Sequence, residues 1–128
     1  MRVLEKMSSS VIYATISFMA KLYVIGTPIG NLEDITLRAL RILKEVDIVI
    51  CEDTRVTAKL LQKYEIKKST LSYHSQSKLS KIEKIIEFLR EGKNCALVSD
   101  AGTPGISDPG SLLISEIKKN LPSVEVIA

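Results

Sequence analysis

The sequence predicts an α/β fold: a doubly wound, mostly parallel sheet of five strands with helices on both faces. Short apolar runs alternate with amphipathic stretches from residue 21 to residue 128, and apolar strands joined by helical crossovers are typical of a parallel sheet covered on both sides. Two loops that share the letters Gly-Thr-Pro each follow an apolar run. With 45% hydrophobic and 26% charged residues, the composition is that of a globular protein able to bury a core.

Five strands are predicted, most of them from short apolar runs, at residues 21–26, 46–51, 70–73, 94–99 and 124–128. Asp34 is placed to cap the first helix, which should present three residues on one face: Leu37, Leu40 and Leu43. Thr54 is placed to cap a short second helix that ends at Tyr64.

The third helix has the clearest period, with apolar residues at i, i+3, i+4 and i+7: Ile82, Ile85, Ile86 and Leu89. Gly92 is expected to end it. Asp108 is placed to cap the fourth helix, residues 109–120, which is expected to bury Leu112, Leu113 and Ile117.

Residues 1–20 are predicted to be a poorly ordered N-terminal extension, and residues 21–128 to form the domain. The mostly apolar run of residues 11–20 is far shorter than the ~20 residues that span a bilayer. Phe18 also interrupts the small-residue pattern of a signal-peptide cleavage site. We therefore expect no membrane association.

The stretch 97–110 organises the rest of the chain. In it an apolar run passes into a loop with three glycines and two prolines. Glycine permits close backbone approach and proline stiffens the chain, so this mixture is typical of a shaped loop. Asp100 is predicted where a strand ends, at the edge where open α/β sheets bind ligands. The first loop, residues 26–31, should open on the same edge, so the two loops together predict a ligand cleft.

Neither loop matches a phosphate-binding pattern in full. No Gly-Lys-Ser/Thr follows, which excludes a Walker A loop, and Pro28 stands where the dinucleotide fingerprint needs glycine. Glu52 or Asp53 nevertheless lies about 20 residues further on, where a ribose-binding acid falls in dinucleotide-binding units. A dinucleotide site and a merely structural turn both stay open for the first loop.

Charge and cysteine content restrict the partners. A net charge of +3 permits an RNA partner without demanding one. Six lysines could form a basic face or only a solvated one: Lys63, Lys67, Lys68, Lys78, Lys81 and Lys84. Scarce aromatic residues argue against a stacking platform for single-stranded nucleic acid.

Cys51 and Cys95 are expected to be buried, reduced thiols, and the single histidine argues against a metal site.

Two polar groups follow the second and third predicted strands. The run Glu52-Asp53-Thr54-Arg55 could supply charge at a helix start, a salt-bridged cluster or contacts to a substrate. His74 is either a hydrogen-bonded loop residue or a general base.

The chain from residue 21 to residue 128 resembles the N-terminal domain of the bacterial 16S rRNA (cytidine-2′-O)-methyltransferases, relatives of the tetrapyrrole (corrin/porphyrin) methylases. The resemblance rests on residues 22–32, 34–40, 52–55, 72–74 and 97–110. Ser75 and Gln76 depart from the Glu and His that usually follow Ser-Tyr-His in this family. The family continues its fifth strand into a Pro-Gly-Pro-Ser loop and a second domain, which we expect to be missing here.

The resemblance implies a cytoplasmic, homodimeric enzyme that uses S-adenosylmethionine to methylate a cytidine ribose in the decoding region of 16S rRNA, within the small ribosomal subunit. It implies a donor site without metal, formed by Pro28, Ile29, Ser99, Asp100, Ala101, Gly102, Thr103 and Ser107. The base for the 2′-hydroxyl proton would be Glu52, Asp53 or His74. Two alternatives stay open: a tetrapyrrole methylase domain, and a truncated, inactive unit that binds ligand weakly or not at all.

Overall fold

The computed structural model describes residues 20–28, 30–74, 79–99 and 108–128. The strands are β1 (Lys21–Gly26), β2 (Ile48–Cys51), β3 (Ser69–Ser72), β4 (Cys95–Ser99) and β5 (Glu125–Ile127). The α-helices are α1 (Leu37–Glu45), α2 (Thr54–Lys63), α3 (Leu79–Arg90) and α4 (Asp108–Asn120), and a 3-10 turn covers Leu32–Asp34. All the predicted strands and helices are therefore present. Of the predicted extension, only Ala20 falls within the described residues.

The five strands form one parallel sheet in the order β3-β2-β4-β1-β5. Each strand is joined to the next by a helix, as parallel pairing requires. Gly26 of β1 lies opposite Ser99 of β4 in the register, so these two strands end side by side.

Helices cover both faces of the sheet, as predicted. Side chains alternate between the two faces of a strand, so Val49 of β2 packs with α1 and α2 in one core. Its neighbour Ile50 packs with α3 and α4 in the other core. The chain thus crosses on one face after β1 and β2, and on the opposite face after β3 and β4.

Two predicted core positions are wrong. Leu37 is 85% exposed and Leu112 is 60% exposed. A three-residue interval drifts around a helix of 3.6 residues per turn, so Leu37 and Leu43 lie about 120° apart. The buried face of α1 is instead formed by Ala39, Ile42 and Leu43. In α4, Leu113 and Ile117 are buried as predicted, and Leu112 lies about 100° away from Leu113.

Two predicted helix caps are also displaced. The hydroxyl of Thr36, not the Asp34 carboxylate, accepts the amide hydrogen bond that caps α1. Asp34 belongs to the preceding 3-10 turn. Asp53, not Thr54, caps α2 by accepting from the amide of Arg55. In both places two neighbouring residues have cap-forming side chains, and the backbone turn selects one of them.

Asn94 ties three strands together at the amino edge of the sheet. Its side-chain oxygen accepts from the Lys21 amide at 2.8 Å. Its own amide donates to the Asp47 carboxylate at 2.9 Å, and its carbonyl accepts from the Asp47 amide at 2.9 Å. These bonds hold the starts of β1, β2 and β4 in position, and so help to align their carboxyl ends.

Both cysteines are buried thiols outside any disulfide, as predicted. Burial raises the pKa of the Cys95 thiol to about 12, with a smaller contribution from the nearby Asp47 carboxylate. Cys95 therefore acts as a packing side chain in the core.

Candidate active site

The candidate site lies at the carboxyl edge of the sheet, where β1 and β4 end next to each other. The Thr27 amide donates to the Ser99 carbonyl oxygen at 3.0 Å. The Thr27 hydroxyl donates to the same oxygen at 3.3 Å, and Thr27 is only 7% exposed. The threonine of the first Gly-Thr-Pro motif thus joins the first loop to the end of β4.

The chain leaves β1 and β4 toward opposite faces of the sheet. The helix α1, which follows β1, contributes to one core, and α4, which follows β4, contributes to the other. Adjacent parallel strands with such connections leave a crevice beyond their carboxyl ends, which is where open α/β sheets bind ligands. The same divergence separates β2 from β4, so the crevice extends toward Glu52.

A cavity of about 480 Å³ opens beside the end of β1, a size typical of small-molecule sites, which range over ~300–1,000 Å³. Its walls are residues 24–28, the region of Asp34, Thr36, Arg38 and Ala39 at the start of α1, and Ala128 beyond β5. A second cavity of about 510 Å³ lies beside the last turn of α2, far from the carboxyl edge. The first cavity is the candidate site because it lies at the carboxyl edge of the sheet, where Thr27 of the first loop lines it and is hydrogen-bonded to the end of β4.

Two of the predicted donor-binding residues fall within the described part of the chain. Pro28 lines the cavity beside β1. Ser99 ends β4, and its carbonyl accepts the two Thr27 hydrogen bonds. Six others lie outside the described residues: Ile29, Asp100, Ala101, Gly102, Thr103 and Ser107. The second Gly-Thr-Pro motif, residues 102–104, lies outside them too.

Arg38 is a site residue that the sequence analysis missed. Its Nη2 donates to the carbonyl oxygen of Ala128 at 2.9 Å, and both residues line the cavity. The contact joins the start of α1 to the end of β5 across 90 positions of sequence. No local pattern signals such a pair; only the neighbouring positions of β1 and β5 in the sheet bring it about.

Asp53 is hydrogen-bonded and ion-paired to its neighbour Arg55. The Arg55 Nε and Nη2 atoms donate to the two carboxylate oxygens at 3.3 Å each, and the Arg55 amide donates to Oδ1 at 2.9 Å. These Arg55 hydrogen bonds lower the pKa of Asp53. A general base must accept a proton near neutral pH, so these contacts favour the capping and salt-bridge interpretations of Asp53.

The other two candidate bases lie beyond different strands. Glu52 is exposed and follows β2, one strand spacing of ~5 Å from β4. His74 is exposed and follows the edge strand β3, which lies roughly 10 Å from β4 and roughly 14 Å from β1. The sheet order therefore places Glu52 nearer to the cavity than His74.

Lys81 fixes the end of β3, next to His74. Its Nζ donates to the carbonyl oxygen of Ser72 at 2.8 Å and to the Ser72 hydroxyl at 2.6 Å. The half-buried Lys81 side chain therefore points toward the sheet edge. Lys81 does not belong to the exposed basic face for which six lysines were considered.

Within residues 20–28, 30–74, 79–99 and 108–128, no group of three or more His, Cys, Asp or Glu side chains is arranged to hold a metal ion. None of the described helices is long and apolar enough to cross a membrane.

The sequence matches known proteins over almost the same residues as the fold. The family model of the Tetrapyrrole (Corrin/Porphyrin) Methylases matches residues 21–128. Ribosomal RNA small subunit methyltransferase I of Mycoplasmopsis pulmonis is 56% identical over 109 residues, covering 85% of this chain and 49% of that protein. The protein of the same name from Thermotoga maritima is 51% identical over 109 residues, with the same coverage of 85% and 49%. The chain spans about half the length of these curated relatives.

Solved structures of tetrapyrrole methyltransferases share the fold. A cobalamin biosynthetic enzyme, cobalt precorrin-4 methyltransferase, superposes with a TM-score of 0.67 at 25% identity, over 88% of this chain and 46% of that one. Uroporphyrin-III-C-methyltransferase from Thermus thermophilus superposes with a TM-score of 0.63 at 21% identity, over 85% of this chain and 47% of that one.

Proposed function

The chain belongs to the tetrapyrrole (corrin/porphyrin) methylase family, and we propose that its function is methylation of ribosomal RNA. The reaction is transfer of a methyl group from S-adenosylmethionine to the ribose 2′-oxygen of a cytidine in the decoding region of 16S rRNA. The observation that carries the proposal is the 51–56% identity to relatives named ribosomal RNA small subunit methyltransferase I. Because those relatives are about twice as long, the proposal concerns the full-length protein.

The cavity beside β1 fits a donor of this kind. Its volume is in the small-molecule range, and Gly26 allows the ligand to approach the backbone closely. Asp34 and Arg38 also line the cavity, and their opposite charges are complementary to the ammonium and carboxylate of an amino acid. The proposed binding set comprises Pro28 and Ser99, with Ile29, Asp100, Ala101, Gly102, Thr103 and Ser107.

S-adenosylmethionine, when bound, supplies an electrophilic methyl group. The residues of this chain contribute mainly by holding the two reactants in line, an effect worth on the order of several kcal/mol. The proton of the 2′-hydroxyl needs a base within hydrogen-bond reach. Glu52 and His74 are the remaining candidates, since Asp53 has a lowered pKa and is bound by Arg55.

The family resemblance extends the proposal to the surroundings of the reaction. The partner is the small ribosomal subunit, the enzyme is a homodimer, and it acts in the cytoplasm. Residues 21–128 are the donor-binding domain, and residues 1–20 are an extension of it.

Methylation of a tetrapyrrole is the second candidate. It is favoured by the name of the matching family and by the shared fold with cobalt precorrin-4 methyltransferase at 25% identity. The identity to the rRNA methyltransferases is about twice as high, and therefore the ribose reaction is preferred.

The two candidates are separated by offering both acceptors to the full-length protein with methyl-labelled donor. We expect label in small ribosomal subunits and none in uroporphyrinogen or precorrin substrates. After alkaline hydrolysis the label should remain in a dinucleotide, because a methylated 2′-oxygen blocks cleavage of the adjacent phosphodiester. Label on a base, or on the tetrapyrrole, contradicts the proposal.

A further inference from the structure

Helix α2 carries a line of cations that the site does not use. Arg55, Lys59 and Lys63 follow one another at four-residue intervals along α2, and Lys67 continues the interval beyond the helix. All four residues are exposed. We call these four residues the cationic ridge. The ten residues of α2 include no acidic residue.

The composition of the ridge differs from that of an ordinary solvated helix. Like charges four residues apart destabilise a helix, whereas opposite charges at this spacing stabilise it. The neighbouring helix α3 mixes both signs, and its Glu87 accepts from Arg90 at 3.3 Å. Pairing of opposite charges within α2 therefore does not account for the ridge, although the helix dipole favours Lys63 in the last turn; an external anion is a partner that would suit these cations.

The ridge cations are available for such an anion to different degrees. No carboxylate in the described part of the chain lies within ion-pair distance of Lys59. Lys63 approaches Glu33 only to 3.9 Å, with both side chains substantially exposed, and exposed pairs of this kind are weak. Arg55 is bound by Asp53. Lys59 and Lys63 are therefore the central contacts of the ridge.

The ridge also leads away from the candidate site. The helix α2 begins at the carboxyl edge, directly after Glu52 and its cap Asp53. Arg55 and Lys63 are eight positions apart along the helix, about 12 Å at 1.5 Å per residue. A polymer whose reacting unit enters the crevice at this edge can lay its flanking segment along α2.

We propose that the cationic ridge binds the phosphate backbone of the RNA substrate, an inference that rests on the function proposed above. Regularly spaced lysines suit a repeating phosphate because each acts as a point charge on a flexible stem. Backbone contacts of this type position a nucleic acid without reading its sequence. An anionic membrane is the poorer partner, since interfacial helices need an exposed apolar face, and Leu60 and Leu61 of α2 are buried in the core.

The test compares two charge-matched double variants of the full-length protein. Lys59→Gln/Lys63→Gln removes two ridge cations, and Lys118→Gln/Lys119→Gln removes two exposed lysines of α4 on the opposite face. Binding to unmethylated small ribosomal subunits is measured at salt concentrations from about 0.05 to about 0.3 M. The slope of log affinity against log salt concentration then reports the number of phosphate contacts. Donor affinity is measured by calorimetry on the same samples.

Each single-strand phosphate contact contributes about 0.7 to the salt slope, or about fivefold in affinity at 0.1 M salt. The ridge variant should therefore bind subunits about 25-fold more weakly, with a slope reduced by about 1.4. The α4 variant should bind like the wild type, and both should bind donor normally. Equal losses in the two variants, or no loss in the ridge variant, would overturn the proposal.

Two controls separate this inference from the proposed function. A wild-type protein that binds donor but not subunits would contradict the RNA substrate itself, and the ridge proposal with it. Wild-type methylation of subunits with normal binding by the ridge variant would overturn the ridge alone. Tighter, ridge-dependent binding to phosphatidylserine vesicles than to subunits would assign the ridge to a membrane and also overturn the proposal.

Discussion

Replacing Thr27 by valine tests whether the first loop and β4 act as one unit. Valine keeps the volume of the side chain but loses the hydroxyl that donates to the Ser99 carbonyl at 3.3 Å. The Thr27 amide still donates to that oxygen at 3.0 Å, so the acceptor is not left unpaired. The cost should fall in the lower part of the range for a neutral hydrogen bond, about 0.5–1 kcal/mol.

That cost predicts two measurable changes. For a domain of roughly 100 residues, thermal unfolding should shift down by about 2–6 °C. If the bond also holds the loop in its binding conformation, donor affinity should fall by about two- to fivefold. Calorimetric titration with S-adenosylhomocysteine measures this second change.

Thr27→Ser is the matched control because it keeps the hydroxyl and removes a methyl group. Its free energy of unfolding should fall by about 0.8 kcal/mol, while it should bind S-adenosylhomocysteine as tightly as the wild type does. The reasoning is refuted if Thr27→Val melts and binds like the wild type, or if Thr27→Ser loses more affinity than Thr27→Val.

Three further predictions concern the stability of the fold. Thr36→Ala should lower the free energy of urea unfolding by about 1 kcal/mol because Thr36 caps α1, whereas Asp34→Ala should lower it by less than about 0.5 kcal/mol. A larger loss for Asp34→Ala than for Thr36→Ala would show that Asp34 is the cap. Gly30→Ala should lower the free energy of unfolding by about 1–2 kcal/mol. The loss would come from backbone strain at the φ of +88° alone, because an added Cβ meets no atom within 4 Å. An unchanged unfolding midpoint would exclude this strain. The stability that depends on the neutral Cys95 thiol is fully present below its unfolded pKa of 9.0 and is lost as pH rises toward the folded pKa of about 12, by up to about 1.4 kcal/mol per pH unit. Cys95→Ala should flatten this pH dependence, and an equally steep loss in the variant would contradict it.

The central strands β2 and β4 were the most predictable, because a parallel sheet buries both of its faces there. All four residues of β2 are buried, and so they appear in the sequence as an uninterrupted apolar run. The face of α3 was also predictable, since Ile85, Ile86 and Leu89 keep a helical interval and are buried. The caps were not, because they depend on where a helix begins to within one or two residues. The exposure of Leu37 follows from the drift of a three-residue interval around the helix, which the predicted Leu37-Leu40-Leu43 face left out.

The candidate site was predictable only in part. The composition of the first Gly-Thr-Pro loop pointed to the carboxyl edge, where Pro28 lines the cavity, because such a composition reflects local backbone requirements. The contact between Arg38 and Ala128 and the bond from Lys81 to Ser72 depend on tertiary structure. The separation of His74 from the cavity depends on the strand order, which no single segment of the sequence specifies.

The central claim is that the methyl donor binds in the cavity beside β1. Its most direct test is a titration of the ¹⁵N-labelled chain with S-adenosylhomocysteine, monitored by the amide chemical shifts. If the donor site is the cavity beside β1, the largest shifts should occur at Gly26, Thr27 and Ser99, with Ala128 also affected. Shifts centred on Gln62 and the second cavity beside α2, with the carboxyl edge unchanged, would contradict the claim.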